Sequence, residues 1–151
     1  MTGNDTQDVV IERHLAAPVD LVWSMWTDPE HFKAWYGPAG ATIPAAELDV
    51  HVGGSRRVTM AMDTPDGPME MRFVGEYVEI DAPNRLVYTE AMAGPDGAPS
   101  SPTTRVIVEL SEAGDGTALK LTHEGVPADS PGATGWNMAL DALESYASAA
   151  R

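Results

Sequence analysis

Residues 55–80 read SRRVTMAMDTPDGPMEMRFVGEYVEI, and the period of that stretch decides the fold. Val58, Met60 and Met62 alternate with Arg57, Thr59 and Ala61, as side chains do when successive residues point to opposite faces of a strand. Thr64-Pro65-Asp66-Gly67 follows, with Pro and Gly placed as a tight turn requires. The alternation then resumes, with Met69, Met71, Phe73 and Tyr77 on one side and Glu70, Arg72 and Glu76 on the other. The prediction is a hairpin of two long strands, apolar on one face. Such a face must be covered by another layer.

Downstream, Asp81-Ala82-Pro83-Asn84 turns the chain into a strand over 85–92, and strands over 103–110 and 117–124 form a hairpin around Gly114-Asp115-Gly116. Between them AGPDGAPSSP, at 93–102, is a Gly/Pro/Ser loop with no apolar anchor and is expected to be mobile. Upstream, a strand over 45–50 leads to Gly53-Gly54, a bulge or tight turn. An earlier strand over 8–15 places Val9, Ile11 and Arg13 on one side. Pro18 opens a short helix with Val19, Val22, Trp23 and Trp26 at helical spacing. Thr27-Asp28-Pro29 stops that helix and caps a second, which runs to Trp35 and breaks at Gly37-Pro38. Near the other end, Trp136, Leu140, Leu143 and Ala147 stripe one face of a long helix, with Asn137, Asp141, Glu144 and Ser148 elsewhere. Residues 1–7 are polar and expected to fray.

Runs of strands with helices segregated toward the chain ends indicate one α+β domain over 1–151, built on a mainly antiparallel sheet. A single amphipathic helix seldom fills the concavity of a long twisted sheet, so a pocket is expected between the two. The net charge of −14 and pI near 4.4 repel phosphate backbones and anionic lipid, which argues against nucleic acid and membrane as partners. The acids are scattered, as on a solubilising surface, rather than gathered into a docking tail. With no cysteine there is no disulfide, thiolate nucleophile or cysteine-bearing zinc site. The opening MTGNDTQD has no basic stretch followed by an apolar one, and no apolar run reaches membrane-spanning length, so a cytoplasmic location is expected.

Chemical motifs are sparse. Gly-x-Ser-x-Gly is absent, and Gly37-Pro38-Ala39-Gly40 lacks the Lys-Ser/Thr of a phosphate loop, so no cofactor is expected. His14, His31, His51 and His123 never pair at zinc-binding spacing, so no metal is expected. By period two, His123 shares a face with Leu119 and Leu121, and Glu90 shares one with Leu86 and Tyr88. Turned inward, this carboxylate, phenol and imidazole could fix the polar end of a ligand, or Glu90 and His123 could act as general acid and base. Taken singly, each is better explained by a place near a strand end, meeting water or backbone, because buried carboxylates are rare unless paired. Met60, Met62, Met69, Met71 and Phe73 offer a soft, adaptable wall, although ordinary core packing explains them equally well. Trp23, Trp26 and Trp35 read as seals between the small helices and the sheet, and Trp136 as the anchor of the long helix. The expected ligand lining is therefore Met60, Met62, Met71, Phe73, Tyr88, Glu90, Leu121, His123, Trp136 and Leu140.

An ordered set of short stretches adds a family resemblance. It runs from Ala17-Pro18 to Trp23, then Trp26-Thr27-Asp28-Pro29-Glu30, Trp35, Gly37-Pro38, Asp49, Gly53-Gly54, Gly75, Glu79-Ile80 and Arg85-Leu86-Val87. It continues with Gly116-Thr117, Leu119, Leu121-Thr122-His123 and Gly135-Trp136. In this order the chain resembles the START-like, or SRPBCC, superfamily, and within it the AHSA-type branch named after activators of the heat-shock-protein ATPase. The resemblance implies a helix-grip fold, a curved antiparallel sheet of about seven strands wrapped around the C-terminal helix. That superfamily includes lipid carriers, hormone receptors, polyketide cyclases and co-chaperone domains, so the fold alone does not select a function. The leading expectation is binding of a small hydrophobic or aromatic molecule, in a stress or regulatory context. A cyclase- or aromatase-like enzyme and a co-chaperone-like domain with a protein partner are the alternatives, and a homodimer is open. Two Lys against seven Arg, with abundant alanine, point to a GC-rich bacterial source.

Overall fold

Backbone pairing makes the hairpin of residues 55–80 one flank of a larger sheet. The computed structural model describes residues 8–36, 41–94, 96, 98–100, 103–125 and 131–150. The elements run β1 (Asp8–Leu15), α1 (Val19–Thr27), α2 (Pro29–Trp35), β2 (Thr42–Leu48), β3 (Ser55–Thr64), β4 (Gly67–Asp81) and β5 (Arg85–Met92). Then come β6 (Thr104–Ala113), β7 (Gly116–Glu124) and α3 (Pro131–Ala150). The seven strands form one curved antiparallel sheet in the order β1-β7-β6-β5-β4-β3-β2. Strands β2 to β7 follow one another as a meander, and β1 joins beside β7. The segment carrying α1 and α2 therefore links the two sheet edges.

The register sets which side chains share the inner face. Met60 lies opposite Met71, Val58 opposite Phe73 and Arg56 opposite Gly75. Tyr77 faces Tyr88, Glu90 faces Thr104, and Val106 faces His123, which in turn faces Val9. Strand β2 starts and ends earlier than expected. Its pairing with β3 is irregular between Thr42 and Ala45, around Pro44, which has no N–H to give the ladder. Residues 49–54 then turn tightly, closed by the Gly54 amide donating to the His51 carbonyl at 2.7 Å. A Cβ at position 54 would lie 2.0 Å from the Asp49 carbonyl oxygen, so the turn admits only glycine there.

Capping explains the break between the two small helices. The Asp28 side chain accepts from the Glu30 amide at 2.9 Å, with Pro29 in the first turn of α2. Trp26 and Trp35 are buried as seals, and the Trp35 indole donates to the Met25 carbonyl at 2.9 Å; Trp23 is only half-buried. Helix α3 buries Trp136, Ala139, Leu140, Leu143 and Ala147 in the core. Polar ties fasten it along its length. Arg13, from the inner face of β1, binds Asp141 at 2.6 Å, Asn137 at 3.0 Å and Glu144. Nearer the helix end, the Tyr146 hydroxyl meets His31 Nδ1 of α2 at 2.6 Å.

Of the stretch at 93–102, expected to be a mobile loop without an apolar anchor, residues 95, 97, 101 and 102 lie outside the described residues, and several of the others carry backbone ties. Ala93 bridges Pro99, the Gly94 amide donates to the Ala98 carbonyl, and the Ser100 amide donates to the Met92 carbonyl. These ties are made by the backbone, so side-chain composition could not reveal them. The expected fraying of residues 1–7 and the breaker at residues 37–40 lie outside the described residues. Among the described residues no helix is long and apolar enough to cross a membrane.

Leu143 is fully buried, whereas Met138 stands on the exposed side of α3. Leu143→Ala is expected to lower the free energy of urea unfolding by about 2–5 kcal/mol. Met138→Ala should change it by no more than about 0.5 kcal/mol. Equal effects would contradict this orientation of α3.

Candidate functional site

The inner face divides into two regions. On the β5–β6–β7 side, alternating strand positions bring Tyr88, Glu90, Leu121 and His123 to the inner face, to which α3 adds Trp136 and Leu140, and all six are buried. On the β3–β4 side, Met60 is buried while Met62, Met71 and Phe73 are half-buried. Met69 and Met92, on the same parity, are more open. The apolar side chains expected to line a ligand site thus belong to the core or pack against it, and Glu90 and His123 are buried polar residues beside them.

Glu90 and His123 do not behave as strand-end residues meeting water. Glu90 is only 8% exposed and lies 3.3 Å from Nη1 of Arg56, itself 3% exposed. Arg56 was not among the expected site residues, yet it shares the parity of Val58, Met60 and Met62. Its guanidinium carbon sits 3.9 Å from the centroid of the Tyr88 ring and 5.1 Å from that of Phe32. The cation is therefore held between two aromatic faces and a carboxylate. Gly75, opposite Arg56, has Thr89 of β5 so close that a Cβ would meet the Thr89 carbonyl oxygen at 1.8 Å. Glycine there lets β5, which carries Tyr88 and Glu90, run tight against β4.

Aromatic rings continue around this ion pair. Tyr36 stacks on Phe32 at 4.3 Å and meets the Trp136 ring edge-on at 5.8 Å. Tyr77 and Tyr88 lie edge to face at 6.2 Å, and Trp26 lies 6.1 Å from Trp136. Burial, the leading cause, pushes the Tyr36, Tyr77 and Tyr88 phenols up from their ordinary value, with Arg56 opposing the rise. They stay neutral donors at physiological pH. The Tyr77 and Tyr88 hydroxyl hydrogens and the Trp26 indole N–H are buried with no acceptor among the described residues, although the Tyr77 oxygen lies within reach of the Arg56 guanidinium. Buried polar groups are seldom left so.

His123, by contrast, is saturated. The Trp136 indole N–H, which can only donate, points at His123 Nδ1 at 2.9 Å. Thr104 Oγ1 donates to the Glu90 carbonyl at 3.1 Å, so it accepts from His123 Nε2–H at 2.7 Å. The network assigns the neutral imidazole with its proton on Nε2. Burial, only partly offset by Glu90, holds this histidine below the ordinary value of 6.5. Protonation would set an N–H on Nδ1 against the indole N–H. The imidazole is thus a structural link from β7 to α3, not a free acid or base.

Grooves of 370, 320 and 610 Å³ are lined mainly by outward residues such as Arg57, Thr89 and Lys120. Of the expected lining residues, only Phe73 borders one of them. What distinguishes the inner face is its unpaired polar groups within an aromatic wall. Among the described residues no cluster of His, Asp and Glu could hold a metal ion.

Because the folded-state value of His123 lies below 6.5, its neutral form stabilises the fold fully above that pH. The contribution is lost as pH falls from 6.5 through the lowered value. The wild-type urea midpoint is expected to fall between about pH 7 and about pH 5 more steeply than that of His123→Gln. Parallel profiles would show that His123 takes up a proton without strain.

Comparison with known proteins places this geometry in context. The family model for Activator of Hsp90 ATPase homolog 1-like protein (AHSA1) matches residues 16–148. A crystal structure of a Nitrosomonas europaea protein is 25% identical with a TM-score of 0.80, each chain covered over 100% of its length. The solution structure of an AHSA1-like protein from Aeromonas hydrophila is 26% identical with a TM-score of 0.74, over 95% of this chain and 93% of that one. The AHSA1 protein of Silicibacter pomeroyi, at 20% identity and a TM-score of 0.81 over 95% of this chain and 99% of its own, shares the fold. A search of curated proteins finds no match.

Proposed function

The chain belongs to the AHSA1-like family, and from that premise we propose that it binds one small apolar or aromatic molecule against the inner face of its sheet. The observation that carries this reading is the pair of buried Tyr77 and Tyr88 hydroxyls beside the Arg56–Glu90 pair, whose hydrogens find no acceptor among the described residues. A domain evolved only to pack would be expected to satisfy or remove them. The aromatic rings around them, with half-buried Met62, Met71 and Phe73, supply the mix of apolar wall and few polar groups that small-molecule sites use. Methionine adapts its shape at little cost, so the β3–β4 side is the softer wall.

Binding is favoured over turnover by the state of the two acid–base candidates. Both ring nitrogens of His123 are already engaged, and the Glu90 carboxylate faces Arg56. Neither is poised to exchange a proton with a bound molecule.

The test is a fluorescence titration with a neutral apolar dye such as Nile red. Saturable binding to the wild type is expected. Phe73→Asp should weaken it by about tenfold or more, since tenfold corresponds to only about 1.4 kcal/mol and a charge buried beside an apolar ligand costs more than that. His123→Asn should change affinity only slightly. No saturable signal, or one indifferent to Phe73→Asp, would contradict the reading.

A further inference from the structure

We propose that the site selects a ligand whose polar end is a neutral hydrogen-bond acceptor, a ketone- or quinone-type oxygen, taken by the Tyr77 and Tyr88 hydroxyls. In the same proposal Glu90 keeps carboxylates and phosphates out by occupying Arg56 from within the chain. This rests on the binding reading above.

Two observations carry it. The first concerns hydrogens without acceptors. Tyr77 is 1% exposed and Tyr88 fully buried; the Arg56 guanidinium can only donate to the Tyr77 oxygen, and neither hydroxyl hydrogen has an acceptor among the described residues. A ligand N–H or O–H could use their lone pairs but would leave the phenolic hydrogens unpaired. Only an acceptor satisfies the hydrogens themselves. The rings stand opposite each other across β4 and β5, with Tyr88 directly beneath the Arg56 guanidinium.

The second concerns charge. A buried arginine lying on an aromatic face is suited to a ligand carboxylate. Here that place is taken by Glu90, at 3.3 Å and itself buried. The buried polar and charged residues described are Arg56, Glu90, Thr117 and His123. Arg56 is the one cation among them, since His123 is held neutral by the Trp136 indole. A ligand anion would therefore bring a second negative charge to a cation already matched, inside a chain of net charge −14. A neutral oxygen meets no such penalty and leaves the ion pair intact.

The test uses three ligands of one shape: tetralin, 1-tetralone and the tetralin-1-carboxylate anion. Affinities are measured by isothermal calorimetry on the wild type, Tyr77→Phe/Tyr88→Phe and Glu90→Gln. On the wild type the ketone is expected to bind about five- to tenfold tighter than the hydrocarbon, the range that one or two neutral hydrogen bonds provide, and the carboxylate weakest. The double phenylalanine variant should lose the ketone preference and keep tetralin binding. Glu90→Gln should acquire carboxylate binding, read also as a rise in its thermal midpoint on adding the anion. Should Glu90→Gln not fold, the wild-type series and the double variant decide the matter. A wild type that prefers the carboxylate, a ketone preference that survives in the double variant, or equal affinity for all three ligands overturns the proposal and leaves the binding reading standing. If none of the three binds the wild type, the binding reading itself fails and the proposal with it.

Discussion

A charge buried in a protein interior must find its opposite, and here the pair is Arg56 of β3 and Glu90 of β5, with β4 running between them. Removing either partner leaves the other uncompensated, at a cost on the order of 3–5 kcal/mol. That cost ties the positions of three strands together. It also needs the close approach of β4 to β5 that Gly75 allows, and the aromatic faces of Tyr88 and Phe32 on either side of the guanidinium. Phe32 belongs to α2, so the short helices are held to the sheet by the same charge. Much of the aromatic wall is arranged around one ion pair.

The remainder of the inner face is built differently. Under α3 the sheet is apolar, through Leu119, Leu121, Val106 and Val108, and the helix is held by polar links at separate points. Trp136 hydrogen-bonds His123, Arg13 reaches Asp141 and Glu144, and Tyr146 meets His31. Those ties fix α3 over β1 and β7 and against α2. The β3–β4 side has no such ties to α3 among the described residues, and its Met62, Met71 and Phe73 are only partly covered. The proposed binding of an apolar molecule rests on this contrast between a firm half carrying polar groups and a soft half of methionine.

The architecture could be read from the sequence because its signals are periodic. Alternation in 55–80 placed Met60 and Met71 on one face, and the 136, 140, 143, 147 stripe placed the helix face that is buried. Asp28-Pro29 marked the junction of the small helices, as its capping bond bears out. What escaped is non-local. Arg56 has the parity of an inward residue, but a basic residue at a strand start reads as solvated unless its partner, 34 residues away, is known. Glu90 and His123 were assigned to water or backbone for the same reason, each having a side-chain partner on another element. The ties of Ala93, Gly94 and Ser100 are mainly backbone bonds, which composition does not encode, although Ser100 Oγ also donates to the Met92 carbonyl.

Under the binding proposal a small apolar or aromatic molecule sits against the inner face of the sheet, beside the methionines of β3 and β4. Methionine methyl groups report on it directly, because Met60, Met62 and Met71 line that face whereas Met138 stands on the outer side of α3. The deciding measurement is a methyl NMR titration of protein labelled at the methionine methyls, with 1-tetralone as ligand. The account predicts saturable shifts at Met60, Met62 and Met71 with Met138 unmoved. Shifts confined to Met138, or none at ligand saturation, would contradict it.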